Sequence, residues 1–77
     1  MREQEERIRK DIELFEKSIS SIREKEKFLQ VMELALQYCE DSKYYLRKGD
    51  LFTAFGCINY AHGLADAVRM IEGTYSL

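Results

Sequence analysis

The stretch Asp41–Arg69, DSKYYLRKGDLFTAFGCINYAHGLADAVR, decides the fold. It opens in a charged helical run that ends at Arg47-Lys48-Gly49. Basic residues in a last turn complement the helix dipole, and a glycine just beyond them suits the left-handed conformation that stops a helix. Asp50 follows at once, and its carboxylate can cap the amides that open a new helix. Gly49 and Asp50 are therefore read as turn and cap. A connection this short makes the flanking helices antiparallel neighbours.

The helix after the turn is predicted over about residues 51–72, with Gly73 as its stop. From Leu51 to Ala65 it carries no formal charge when His62 is neutral. In a chain of 77 residues, 34% of them charged, a helix so free of charge belongs at the centre. Ala54, Cys57, Ile58, Ala61, Leu64, Ala65, Val68 and Ile71 form a broad apolar arc at helical spacing, widened by Tyr60 and Ala67. That arc exceeds what two short neighbours need. Large apolar patches are rare on soluble monomers, so a homodimer is expected.

Upstream, Ile8, Ile12, Phe15, Ile19 and Ile22 fall on one narrow stripe of a first helix, about residues 3–20. A second stripe runs Phe28, Val31, Met32, Ala35, Tyr38, Cys39, Ser42, Tyr45 and Leu46 on a helix of about residues 25–48, with Leu34 at its edge. Phe28 is out of phase with the first stripe, so the chain must turn between Ile19 and Lys27. Ser21-Ile22-Arg23-Glu24 has the form of a capping box that would open the second helix. The absence of proline fits long uninterrupted helices. The expected fold is all-α: one domain over residues 1–77, a three-helix up-and-down bundle with helix three central and largely apolar.

Composition narrows the function. Twelve basic residues stand against 14 acidic ones and alternate with them, so no basic stripe exists and nucleic acid is not an expected partner. Cys39, Cys57 and the single histidine, His62, do not make a metal-ligand set, and no cofactor is expected. The first ten residues, MREQEERIRK, lack the apolar run of a secretory signal. The uncharged stretch of helix three falls short of the ~20 residues that span a bilayer. A cytoplasmic setting without membrane contact is the expectation.

Two groups on helix three are candidate functional residues. Gly56 and Gly63 lie on one face, and a glycine inside a helix costs about 1 kcal/mol relative to alanine. Close packing is the expected reason, against a helix of the same chain or of a second copy. Asn59, His62, Asp66 and Arg69 follow at spacings that let His62 meet Asp66, and Asp66 meet Arg69. A carboxylate orienting an imidazole is the geometry of a general base or of a polar latch. No nucleophile–base pairing, phosphate loop or HExxH motif accompanies it, so the latch is preferred and no enzymatic activity is expected. Of the tyrosines, Tyr38 and Tyr45 belong to the core stripe, Tyr60 extends the arc of helix three, Tyr44 points away and Tyr75 follows the last helix.

Ala35-Leu36-x-Tyr38, Asp41-Ser42, Tyr44-Tyr45-Leu46, Lys48-Gly49-Asp50, Ala54-Phe55-Gly56, Ile58-x-Tyr60-Ala61-His62-Gly63-Leu64 and Asp66-Ala67 together resemble a family of short archaeal proteins, the domain of unknown function 357. The resemblance covers about residues 28–69 and reaches the first helix in helical character only. It implies a small helical bundle and an archaeal, cytoplasmic source, and it brings no activity or site residue. Tyr45-Leu46-x-x-Gly49-Asp50-Leu51-Phe52-x-Ala54 is also similar to a tetratricopeptide helix turn, but no repeat of about 34 residues follows, so a solenoid is not supported. The expected function is a non-enzymatic module that self-associates or docks on a protein partner. The alternative is a small-ligand or nucleotide-binding domain using the Asn59, His62, Asp66 and Arg69 face.

Overall fold

The chain folds as α1 (Arg2–Ser20), α2 (Leu29–Lys48) and α3 (Leu51–Glu72). The computed structural model describes residues 2–74, and no strand occurs among them. Tyr75 lies outside the described residues. Ile8, Ile12, Phe15, Ile19 and Ile22 are all buried, and they meet Met32, Ala35, Cys39 and Leu46 from α2. From α3, Ala54, Ile58, Ala61, Ala65 and Val68 complete the core.

α3 packs extensively on both other helices, which touch each other much less. Contacts between named residues fix the directions. Ser42 with Ala54 and Tyr38 with Tyr60 make α2 and α3 antiparallel. Asp11 with His62 and Ser18 with Arg69 run α1 parallel to α3. The bundle is therefore up, down, up, with α3 as its shared wall. Its three buried alanines remove side-chain bulk where both neighbours press on one helix. Ser42 is fully buried, and its hydroxyl donates to the Ala54 carbonyl at 2.7 Å, so the polar atom is satisfied inside the core.

The α2–α3 turn is built from two residues. Gly49 adopts φ 82°, in the left-handed region. Its amide donates to the Leu46 carbonyl and that of Asp50 to the Tyr45 carbonyl, which closes α2. The Asp50 carboxylate then accepts the Thr53 amide at 3.1 Å and opens α3.

The α1–α2 connection departs from expectation. α2 begins at Leu29, not near residue 25, and the capping box does not form. The Ser21 hydroxyl donates back to the Ser18 carbonyl at 2.6 Å and that of Ser20 to Lys17 at 2.8 Å, so both serines close α1. The amides of Lys27 and Phe28 fold onto the Glu24 carbonyl in a separate turn. What holds this loop comes from the far end of the chain. The Glu72 carboxylate accepts the backbone amides of Arg23 at 3.3 Å and Glu24 at 2.7 Å. The late start of α2 also corrects the reading of Ile71. It belongs to the apolar arc yet is 68% exposed. In the antiparallel register the chain opposite it is the 24–28 turn, so no helix covers it.

Two outcomes follow. Glu72→Ala should lower unfolding stability by about 1–2 kcal/mol, because two loop amides lose a charged acceptor. Hydrogen exchange should then quicken at Arg23 and Glu24 before it quickens in the helices. Asp50 tests the other turn. Its hydrogen bonds to Thr53, through the side chain first and the backbone second, hold its carboxyl below the ordinary value of 3.8. A depressed folded-state pKa means that ionised Asp50 stabilises the fold above the unfolded value, and this is lost as pH falls through the folded one. The stability difference between wild type and Asp50→Ala should be full near neutrality and shrink below about pH 3.8. Thermal midpoints across an acid series measure it.

Candidate functional site

The polar residues of α3 fall into two sets. His62 and Arg69 face α1. The His62 Nε2 lies 2.8 Å from the backbone carbonyl oxygen of Asp11. A carbonyl only accepts, so Nε2 donates, and in the neutral ring Nδ1 is the bare nitrogen. The ring meets Phe15 edge-on, centroids 5.8 Å apart at 85°. Arg69 reaches two helix ends: Nη1 donates to the Ser18 hydroxyl at 3.3 Å and Nη2 to the Thr74 carbonyl at 3.2 Å. Both side chains are partly buried and tie α1 to α3 across a seam that no short loop connects.

Asn59 and Asp66 stand one step further round the helix. Asn59 is exposed and Asp66 partly so. Among the described residues Asp66 makes no hydrogen bond or ion pair with His62 or with Arg69, so the two contacts that the helical spacing allows do not form. The reason is competition. His62 and Arg69 are seven residues apart and point into the α1 seam, where a carbonyl and a hydroxyl lie within reach. The four residues thus do not converge on one point.

Elsewhere, no group of three or more His, Cys, Asp or Glu among the described residues is placed to hold a metal ion. Burial pushes the Cys39 thiol up to about 11, and burial also raises that of Cys57, so both stay protonated at neutral pH and are poor nucleophiles. Lys43 bridges Glu16 and Glu40, each at 3.1 Å, and ties α1 to α2.

The outer face of α3, turned away from both neighbours, carries the second pair of candidates. Gly56 and Gly63 are exposed, and a Cβ added at either would meet nothing within 4 Å. Their φ angles are negative, so no backbone constraint demands glycine either. Within the chain, then, the expected close packing at these glycines is absent. Phe52, 89% exposed, and Met70, 56% exposed, stand towards the two ends of the same face, and Tyr60 flanks it on the α2 side. On the α1 side, the Arg7 guanidinium lies over the Phe55 ring at 5.7 Å. Gln4, Arg7, Ile8, Leu51, Phe52 and Phe55 line an open, mainly apolar groove there. Sequence reading did not find this groove, because it depends on the parallel register of α1 against α3, which no short loop imposes.

A family model described as protein of unknown function (DUF357) matches residues 3–74. The chain belongs to this family. The match takes in all three helices, so α1 is part of the family's unit beside the hairpin that carries the recognisable motifs. Among curated proteins nothing matches the chain significantly. No helix among the described residues is long and apolar enough to cross a membrane.

If His62 is a tie between helices, His62→Ala should lower unfolding stability by about 1–3 kcal/mol, since a partly buried carbonyl loses its donor and Phe15 loses its edge contact. His62→Gln, which can still donate, should recover part of the loss. Denaturant titrations of the three proteins decide it. Equal midpoints would make the ring a passive surface group.

Proposed function

We propose that this domain works by association and not by catalysis, and that its contact surface is the outer face of α3. The observation that carries the reading is the pair Gly56 and Gly63, exposed and with open space where a side chain would stand. Each lowers helix stability by about 1 kcal/mol relative to alanine, a large penalty for a bundle this small. A facing helix supplies the missing reason, because glycine lets two backbones approach more closely than any side chain permits.

The occupant is a second copy of this chain. The face is uncharged from Leu51 to Ala65, carries large apolar groups towards its ends and hollows between them, and so matches a copy of itself. A ligand site on Asn59, His62, Asp66 and Arg69 has less support, since His62 and Arg69 turn towards α1 and Thr74 and away from Asn59 and Asp66. An archaeal source and a cytoplasmic setting belong to the same proposal and rest on the family resemblance alone.

Light scattering at micromolar concentration tests it. The expected mass is twice the 9.1 kDa of one chain. Gly63→Leu should return the protein to monomer with its helical circular dichroism intact, because the side chain has room in the fold but not in the contact. Gly63→Ala should raise the thermal midpoint of dilute monomer while weakening dimerisation. A wild-type chain that stays monomeric at every concentration overturns self-association, and capture of a different protein through this face would replace the second copy as occupant.

A further inference from the structure

Resting on that reading, we infer that the two copies form an antiparallel dimer about a two-fold axis crossing α3 near Tyr60 and Ala61, with Arg7 of each copy paired to Asp66 of the other. Two charges border the otherwise uncharged face, one towards each end of α3. Arg7 is exposed, rests on the Phe55 ring and takes part in none of the ion pairs among the described residues. Asp66 is likewise in no ion pair there, whereas the other carboxylate of α3, on Glu72, is occupied by the loop amides.

Their placement is symmetric. At 1.5 Å per residue, Phe55 beneath Arg7 and Asp66 lie about 8 Å on either side of the Tyr60–Ala61 level. Phe52 and Met70 lie roughly 13 Å on either side of it, and Gly56 and Gly63 within about 7 Å. A two-fold axis at that level brings Phe52 of one copy to within about 2 Å of the level of Met70 of the other, and Gly56 to within about 3 Å of that of Gly63, so the large groups meet towards the ends and the glycines let the backbones close in between.

Charge chooses this operation over its parallel counterpart. Arg7 and Asp66 lie on the same lateral side of the face, the side along which α1 packs. The antiparallel operation keeps that side in common, so the guanidinium of one copy arrives beside the carboxylate of the other, twice. A parallel two-fold would set the α1 side of one copy against the α2 side of the other, and neither Arg7 nor Asp66 would find an opposite charge on α3 of its partner. The antiparallel arrangement also aligns the two helix dipoles favourably.

The test uses two variants, Arg7→Asp and Asp66→Arg, in sedimentation equilibrium. Alone, each homodimer sets like charges together at two places, and dimerisation should weaken about ten-fold or more. Mixed in equal amounts, the two variants should recover wild-type affinity as a heterodimer. There the new carboxylate at position 7 meets the new guanidinium at position 66, and the two unaltered residues meet each other. No effect confined to one chain produces rescue on mixing. A mixture no tighter than either variant, beside a wild type that dimerises, overturns the Arg7–Asp66 pairing and leaves self-association standing. A monomeric wild type overturns self-association itself. Should a reversal unfold the chain, Phe52→Cys mixed with Met70→Cys under a mild thiol oxidant tests the antiparallel order on which the pairing depends. A disulfide between positions 52 and 70 of different copies is expected, and a disulfide joining two copies at position 52 would overturn the antiparallel order.

Discussion

α3 has to serve as the wall for two helices at once, and the line of Ala54, Ala61 and Ala65, each at most 1% exposed, is what makes that possible. Between these alanines α3 adds only Ile58 and Val68 to the core, and the neighbours fill the rest: Phe15 and Ile22 from the α1 side, Met32 and Leu46 from α2. α1 and α2 need touch each other only modestly, because both are fixed against the same surface. Replacing any of these alanines by a larger residue would push a whole neighbouring helix outward, since close-packed interiors have no slack to absorb added atoms.

The apolar wall sets which helices meet, but it is weakly directional, and polar ties set their register. α2 and α3 need few of them, because a two-residue turn already fixes the pair, with the Ser42 bond to Ala54 as a pin inside the seam. α1 has no such loop to α3. It is held by His62 at its middle, by Arg69 at its last turn, and by Glu72 on the loop that follows. Each bond contributes on the order of 1 kcal/mol, so none dominates; their spread along the seam is what resists sliding. This accounts for the positions of His62, Arg69 and Glu72 on an otherwise apolar helix.

The three apolar stripes and the Gly49–Asp50 turn were legible in the sequence because their chemistry is local. Periodicity acts within one helix, and a left-handed glycine followed by a capping carboxylate needs no distant partner. The 21–28 connection was not legible. Its serines fit a cap at the start of α2 as well as they fit the end of α1, and the group that decides, Glu72, lies almost 50 residues away in sequence. His62 shows the same limit. Its partner is a main-chain carbonyl, and every residue has one, so no pattern of side chains could single out Asp11. A helical wheel also says which residues share a face, not which face is covered. Gly56 and Gly63 do share a face, and of the two packing partners expected for them, the same chain or a second copy, the fold supplies none from the same chain.

That last misfit is the most informative feature of the molecule. Exposed apolar residues are ordinary when scattered, and Leu14, Leu29 and Leu36 each stand among charged or amide neighbours. The outer face of α3 differs in kind: along it, Phe52, Gly56, Asn59 and Gly63 follow one another without a charge. Local preference would put alanine at both glycines and charge at the exposed positions, and either change would make a single chain more stable and more soluble. A sequence consistent with its fold along the buried stripes departs from it here, in two respects and on one surface. Such departures collect where a surface is specified by something other than the stability of its own chain. The facing copy of α3 that we propose would meet both at once, because close backbone approach needs the glycines and a desolvated contact excludes the charges.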